Sequence, residues 1–292
     1  MEQQTAFFLR YLPVKITLVS MGTAKLPSYL GSALRGAVGQ ALHQDAAAFN
    51  YLYNNRVLND NGQDIVNPYV IVPPAISDAP YHTGEELSFD IYLLGDAERY
   101  VQPLINALHG MQTLELGASR YPFELKKVTH SLDQRVIWRE GFFNAIAARS
   151  AALPYRSLPY IRKLTMYAHT PLRIRRNGAL LEDIDFQTII RNITNRLEAV
   201  AARYGGWVDR AEAERIQILS AEVSVIQKHL ELKNMKRYSN RLGEKMDFSG
   251  LLGSIQFEGE LTPFVPWLYA AQILHMGRNT TFGMGRIEVE FI

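Results

Sequence analysis

Seven histidines and not one cysteine leave imidazole as the chain's main group for moving protons near neutral pH. His43 stands out among them, two four-residue steps beyond Arg35 with Gly39 between. On a helix those positions share one side, a flat lane edged by a cation and an imidazole. The same spacing has a plainer reading, in which Gly39 admits a closely packed neighbour. Either way something offsets Gly31, Gly36 and Gly39, because each interior helix glycine costs up to about 1 kcal/mol against alanine.

A second constellation lies at the far end, where Gly277, Gly283 and Gly285 are interleaved with Arg278 and Arg286 and preceded by His275. A dinucleotide fingerprint or a P-loop would place a strand before such glycines and a helix after them. Here a helical pattern precedes and only six residues follow Arg286, so both motifs fail on order. Two readings remain open. One is a loop whose amides and flanking arginines hold phosphates, and the other is a structural turn.

Cations gather in two further places. Arg173, Arg175 and Arg176 form one group, and Lys228, His229, Lys233, Lys236, Arg237, Arg241 and Lys245, with Tyr238 among them, form the other. They suit a polynucleotide backbone with a stacked base, or simply a solvated surface. No pair of histidines or carboxylates has metal-ligand spacing, and Glu182, Asp183 and Asp185 read as helix capping, so neither metal nor cofactor is expected.

The elements that must carry these groups are legible from period. Residues 5 to 20 read as a strand, Leu30 to Leu42 as a helix, Tyr69 to Val72 and Leu87 to Leu93 as strands, Val101 to Met111 as a helix, and Phe123 to Val128 as a strand. An extra hairpin fits Val136 to Phe143. Two prolines and a serine mark a boundary between Ala151 and Pro159. Beyond it come a strand at Leu164 to Ile174 and a long helix at Phe186 to Tyr204, capped by Asp183 or Asp185. Strands are expected near 216 to 227 and 250 to 261, then a helix started by Thr262 and Pro263, and a last strand from Ile287. The order β-α-β-β-α-β thus occurs twice, in residues 1–150 and 160–292. The fold class expected is α+β, tandem ferredoxin-like (RRM-like) domains. That fold alone names no function.

Composition agrees. With 292 residues, 47% hydrophobic and 21% charged, the chain can bury two cores, and a net charge of +2 identifies no polyanion partner by itself. The absence of cysteine fits a reducing compartment, taken as the cytoplasm. The apolar start from Phe7 to Val19 is preceded by Glu2 and interrupted by Arg10 and Lys15, which suits a strand better than a signal peptide. No run approaches the roughly 20 apolar residues that span a bilayer, so no membrane partner is expected.

Four segments taken together resemble the CRISPR-associated repeat-processing endoribonucleases of the RAMP superfamily. The stretch from Leu26 to Gly39 is similar to that family's first-helix motif, and Thr170-Pro171-Leu172-Arg173 with Asp185-Phe186 to the start of its second domain. Arg237-Tyr238-Ser239 with Gly250 to Gly259, and His275 to Arg286 as a C-terminal glycine-rich loop, complete the likeness. The resemblance implies metal-independent cleavage of precursor CRISPR RNA within each repeat, by 2′-hydroxyl attack that leaves a 2′,3′-cyclic phosphate and a 5′-hydroxyl. It implies His43 as the catalytic histidine and Tyr29 beside it, while the family's lysine is missing: Arg56 is the first cation after His43, and Arg35 supplies the charge instead. The RNA-binding set that follows is Arg173, Arg175, Lys233, Lys236, Arg237, Arg241, His275, Gly277, Arg278, Gly283, Gly285 and Arg286. Expected partners are repeat RNA or precursor crRNA, with other CRISPR effector subunits and a second copy of the chain as further candidates. A catalytically silent RAMP subunit that holds guide RNA stays open as the alternative, and a small-molecule ligand as a third.

Overall fold

The computed structural model describes residues 5–54, 66–239 and 244–292. It divides into two compact units, one of Arg10–Ala152 and the other of Leu153–Ile292 together with the start of the chain through Leu9. The segment read as a single first strand is therefore two pieces. Phe7 and Phe8 pair with Val208 and Trp207 in the second unit, and Phe7 packs against Trp267 there, while the long strand begins only at Arg10.

In the first unit the order is β1 (Arg10–Ser20), α1 (Gly31–Leu42), β2 (Tyr69–Val72), β3 (Glu86–Leu94), α2 (Val101–Gly110) and β4 (Tyr121–His130). The hairpin β5 (Val136–Arg139) and β6 (Phe142–Phe143) follows, where alternation placed it. The sheet runs β2-β3-β1-β4-β5-β6, and its first four strands have the ferredoxin-like arrangement. Leu12, Val14, Ile16 and Leu18 of β1 point alternately into a core shared with Leu34, Val38 and Leu42 of α1 and Leu104, Ile105 and Leu108 of α2. That burial holds a glycine-rich helix whose own propensity is poor.

The second unit repeats the plan. Its elements are β7 (Lys163–Leu172), the short hairpin β8 (Arg175–Arg176) and β9 (Ala179–Leu180), α3 (Phe186–Tyr204), α4 (Arg210–Leu219) and β10 (Ser224–Lys233). After them come β11 (Lys236–Ser239), β12 (Glu244–Asp247), β13 (Gly250–Glu258), α5 (Val265–Leu274) and β14 (Ile287–Phe291). The main sheet runs β10-β13-β7-β14, the same permutation as the first. Asp185 is the cap of α3, accepting from the Thr188 amide at 2.7 Å, and left-handed Gly205 ends it.

A second element differs from the reading of the sequence. The strand expected near 216 to 227 is α4 followed by β10, which starts only at Ser224. Asp209 caps α4 by accepting from Glu212, and Ala213 and Ile216 bury at helical spacing. The alternation of Ile216 with Ile218 had the look of a strand, yet Ile218 is exposed. Among the described residues no helix is long and apolar enough to cross a membrane.

Candidate functional site

The lane on α1 is real, and it is filled by residues from the segment just after it. His43 follows the helix with its ring exposed. Asp45 caps a short turn through Ala48, and a single π-helical turn follows, closed by the Asn54 amide on the Phe49 carbonyl at 2.8 Å. This turn stacks Phe49 on His43, with centroids 4.0 Å apart, and Tyr53 on Phe49 at 5.3 Å. Tyr53 in turn carries the Arg35 guanidinium 4.2 Å above its ring, and Arg35 donates to the Tyr53 hydroxyl at 2.9 Å.

Gly39 makes the ladder possible, because a Cβ there would overlap the Tyr53 ring. The close-packing reading of Gly39 therefore holds, and the lane is a bed for an aromatic ladder. Gly36, by contrast, is exposed with open space above it. Arg35, expected to supply the charge of the missing lysine, has its guanidinium engaged with Tyr53. Tyr29 is partly buried, and burial pushes its phenol above the ordinary tyrosine range. It stays protonated at neutral pH and can donate a hydrogen bond, but it is no base.

The glycine-rich segment between α5 and β14 folds back on the end of β7. Its amides donate inward: Met276 to the Gly285 carbonyl at 2.8 Å, Arg278 to the Arg173 carbonyl at 2.8 Å, and Gly285 to the Pro171 carbonyl at 3.1 Å. Gly277 donates to Asn192 Oδ1 at 2.8 Å, and Arg286 to Thr170 Oγ1 at 2.9 Å. Gly277 and Gly285 have positive φ, and a Cβ on either would strike the backbone of Arg173 or Met276. The expectation of an open, amide-lined cradle at Gly277, Gly283 and Gly285 is corrected: these amides are engaged within the unit, and Gly283 and Gly285 are buried. Arg278 and Arg286 are the members of the loop that stay exposed.

Two more expected RNA contacts prove internal. His275 is buried, with Nδ1 donating to the Met284 carbonyl at 3.1 Å, and burial holds its pKa down to about 3. Arg173 is 4% exposed and donates to the carbonyls of Ser249 and Asp247, so it ties the start of β13 to the loop instead of facing solvent. Burial lowers its pKa despite the nearby Asp247 carboxylate. Arg175 and Lys233 are exposed. Lys236 and Arg237 lie on β11 with their side chains outside the described set, and Arg241, like Arg56, lies outside the described residues.

Three functional residues escaped the reading of the sequence. Phe49 and Tyr53 carried no signal beyond aromatic spacing. Arg196 did carry one, since it falls on the apolar stripe of α3 between Ile193 and Val200. Its guanidinium donates to the Leu274 carbonyl and to Thr280 Oγ1, each at 2.9 Å, and desolvation lowers its pKa to about 10. With Asn192 one turn earlier, it pins the first half of the loop to α3.

Family models match a stretch of each unit. Residues 9–151 match a family model described as an N-terminal domain, and residues 166–287 match that of the CRISPR-associated endoribonuclease Cas6. Among solved structures, a partial Cas6-RT-Cas1–Cas2 complex aligns with 97% of this chain and 46% of its own, at 12% identity and a TM-score of 0.63. This chain thus spans less than half of that relative. A Cas6 product complex aligns with 96% of this chain and 100% of its own, at 16% identity and a TM-score of 0.62. Thermus thermophilus Cas6 aligns with 98% and 100%, at 15% identity and a TM-score of 0.58. At such identities the likeness is one of fold, and no curated protein sequence matches the chain significantly. A ferredoxin-like unit built twice, its second copy matched over residues 166–287 by the Cas6 model, gives the chain a Cas6-like fold with a Cas6 endoribonuclease domain in its second unit.

Proposed function

We propose that this chain is a metal-independent endoribonuclease that cuts precursor CRISPR RNA within its repeats, with His43 as the catalytic histidine. The observation that carries the reading is the exposed His43 imidazole, held by the Phe49–Tyr53–Arg35 ladder beside the first helix of a chain whose second unit matches the Cas6 endoribonuclease model. The ribose 2′-oxygen attacks the adjacent phosphorus and the bond to the 5′-oxygen breaks, leaving a 2′,3′-cyclic phosphate and a 5′-hydroxyl. The nucleophile comes from the substrate, so the protein need only move protons and stabilise charge. An imidazole handles one of the two proton transfers, accepting from the 2′-hydroxyl or donating to the leaving oxygen. Arg35 acts as a positioning residue through Tyr53.

RNA contacts in the second unit fall to the exposed Arg175, Lys233, Arg278 and Arg286, while Arg173 and His275 shape the loop behind the arginines. The test is incubation of the purified chain with a repeat RNA in excess EDTA. One cut with a cyclic-phosphate end is expected. Binding without a cut would favour a silent RNA-holding subunit, and loss of cutting on chelation would sink the metal-independent mechanism.

A further inference from the structure

The first unit carries an open basin of about 450 Å³ lined by residues of neither site, namely Arg10, Glu98, Arg99, Ala148, Arg149 and Ser150. Three guanidinium groups meet one carboxylate there. Arg10 lies 3.3 Å from Glu98, and Ser150 Oγ donates to the same carboxylate, which accounts for that negative charge. Arg99 and Arg149 have no acidic partner among the described residues, and both are exposed.

Neither is loosely placed. Arg99 rests on two rings, 4.8 Å from the Tyr51 centroid and 5.2 Å from that of Tyr100, and those rings are stacked on each other at 4.5 Å. The backbone of Arg149 is fixed by buried His130, whose Nε2 donates to the Arg149 carbonyl at 3.0 Å. A guanidinium held beside a stacked pair of rings keeps N–H donors for a ligand, and its planar fork matches a phosphate.

We propose that the Arg10–Arg99–Arg149 basin binds a backbone phosphate of the RNA strand, as a subsite separate from the His43 ladder; this rests on the reading of the chain as an RNA-cutting enzyme. Inorganic phosphate has the same chemistry, so the experiment separates the two sources. Single-turnover cleavage of a repeat RNA is followed against protein concentration for the parent, for Arg99→Gln with Arg149→Gln, and for Arg135→Gln as an exposed control on the same unit. The double variant should raise the half-saturating concentration by about tenfold or more while leaving the plateau rate at the parental value. Its logarithmic salt dependence should be shallower by about 1.4, for two contacts at about 0.7 each on a single strand. Arg99→Lys with Arg149→Lys, which keeps the charge and loses the fork, should recover part of the affinity. The control should match the parent throughout.

An unchanged half-saturating concentration and salt slope in the double variant would overturn the subsite. So would calorimetry in which inorganic phosphate binds the parent and not the variant while the two cleave RNA alike, for the basin would then be a free-anion site. A parent that cuts no repeat RNA would instead bring down the functional reading, and the subsite with it.

Discussion

The Tyr53 ring lies across Gly39, in the space where any larger residue on α1 would put its side chain. The contact fixes one end of the ladder that reaches His43, so a glycine in the middle of a helix serves geometry at the expense of helix propensity. Adding a methyl group must either displace Tyr53 or shift α1. Gly39→Ala should therefore destabilise the chain by about 1–3 kcal/mol and slow cleavage. Gly36→Ala, with nothing within 4 Å of its Cβ, should stabilise it by roughly 0.5–1 kcal/mol. Urea midpoints compare the two directly, and equal effects would contradict the packing. Tyr53→Leu in the Gly39→Ala background should show coupling between the positions.

Loss of the imidazole should affect chemistry and not binding. His43→Ala should lower the single-turnover rate by roughly 10²–10⁴-fold with RNA affinity unchanged, and Phe49→Leu, which leaves the imidazole without its stacking partner, should fall between this variant and the parent. Parental cleavage by His43→Ala would remove His43 from the mechanism.

The glycine-rich loop should fail when its anchors are cut, even though they bear no catalytic group. Arg196→Met leaves the Leu274 carbonyl and Thr280 hydroxyl without their donor, and about 2–4 kcal/mol of stability should go with it. Gly285→Ala forces a Cβ onto the Met276 backbone at positive φ, with a loss of about 2–4 kcal/mol. Thermal unfolding reads both, and a parental midpoint for either would mean that the loop is not built as described.

His275 should make stability depend on pH. Its folded pKa of about 3 lies below the ordinary value of 6.5, chiefly from burial, with Arg196 and Arg286 adding repulsion and the Met284 carbonyl opposing it. As pH falls below about 6.5 the unfolded chain takes up a proton that the folded chain refuses. The stabilisation is thus complete above that point and declines by up to about 1.4 kcal/mol per pH unit toward pH 3. Urea midpoints at successive pH values should show a flatter decline for His275→Gln, and superimposable curves would refute the assignment.

What could be read without coordinates is what local physics controls. The 3.6-residue period marked α1, α2, α3 and α5, alternation marked the core strands and the β5–β6 hairpin, and Asp185 and Pro263 marked helix starts, because each signal lies within a few residues of its effect. The repeated β-α-β-β-α-β order followed from those elements. The first strand was misread as one piece, and α4 was misread as strand, where Ile216 and Ile218 mimic alternation over too short a span for the period to decide. The family likeness was legible too, through glycine motifs whose residue types are constrained wherever the backbone must pass close.

What the glycines are close to was decided only in three dimensions. Gly277 and Gly285 looked equally suited to a ligand and to a turn, since positive φ serves both, and their amides proved to be engaged by Asn192 and Pro171, residues about a hundred positions away. Likewise the partners of Arg173 and Arg196 come from residues far along the chain, and no spacing rule distinguishes a cation turned to solvent from one donating to buried carbonyls. Residue type and period determine which elements form; which polar groups remain available for RNA depends on the pairing that burial demands across the fold.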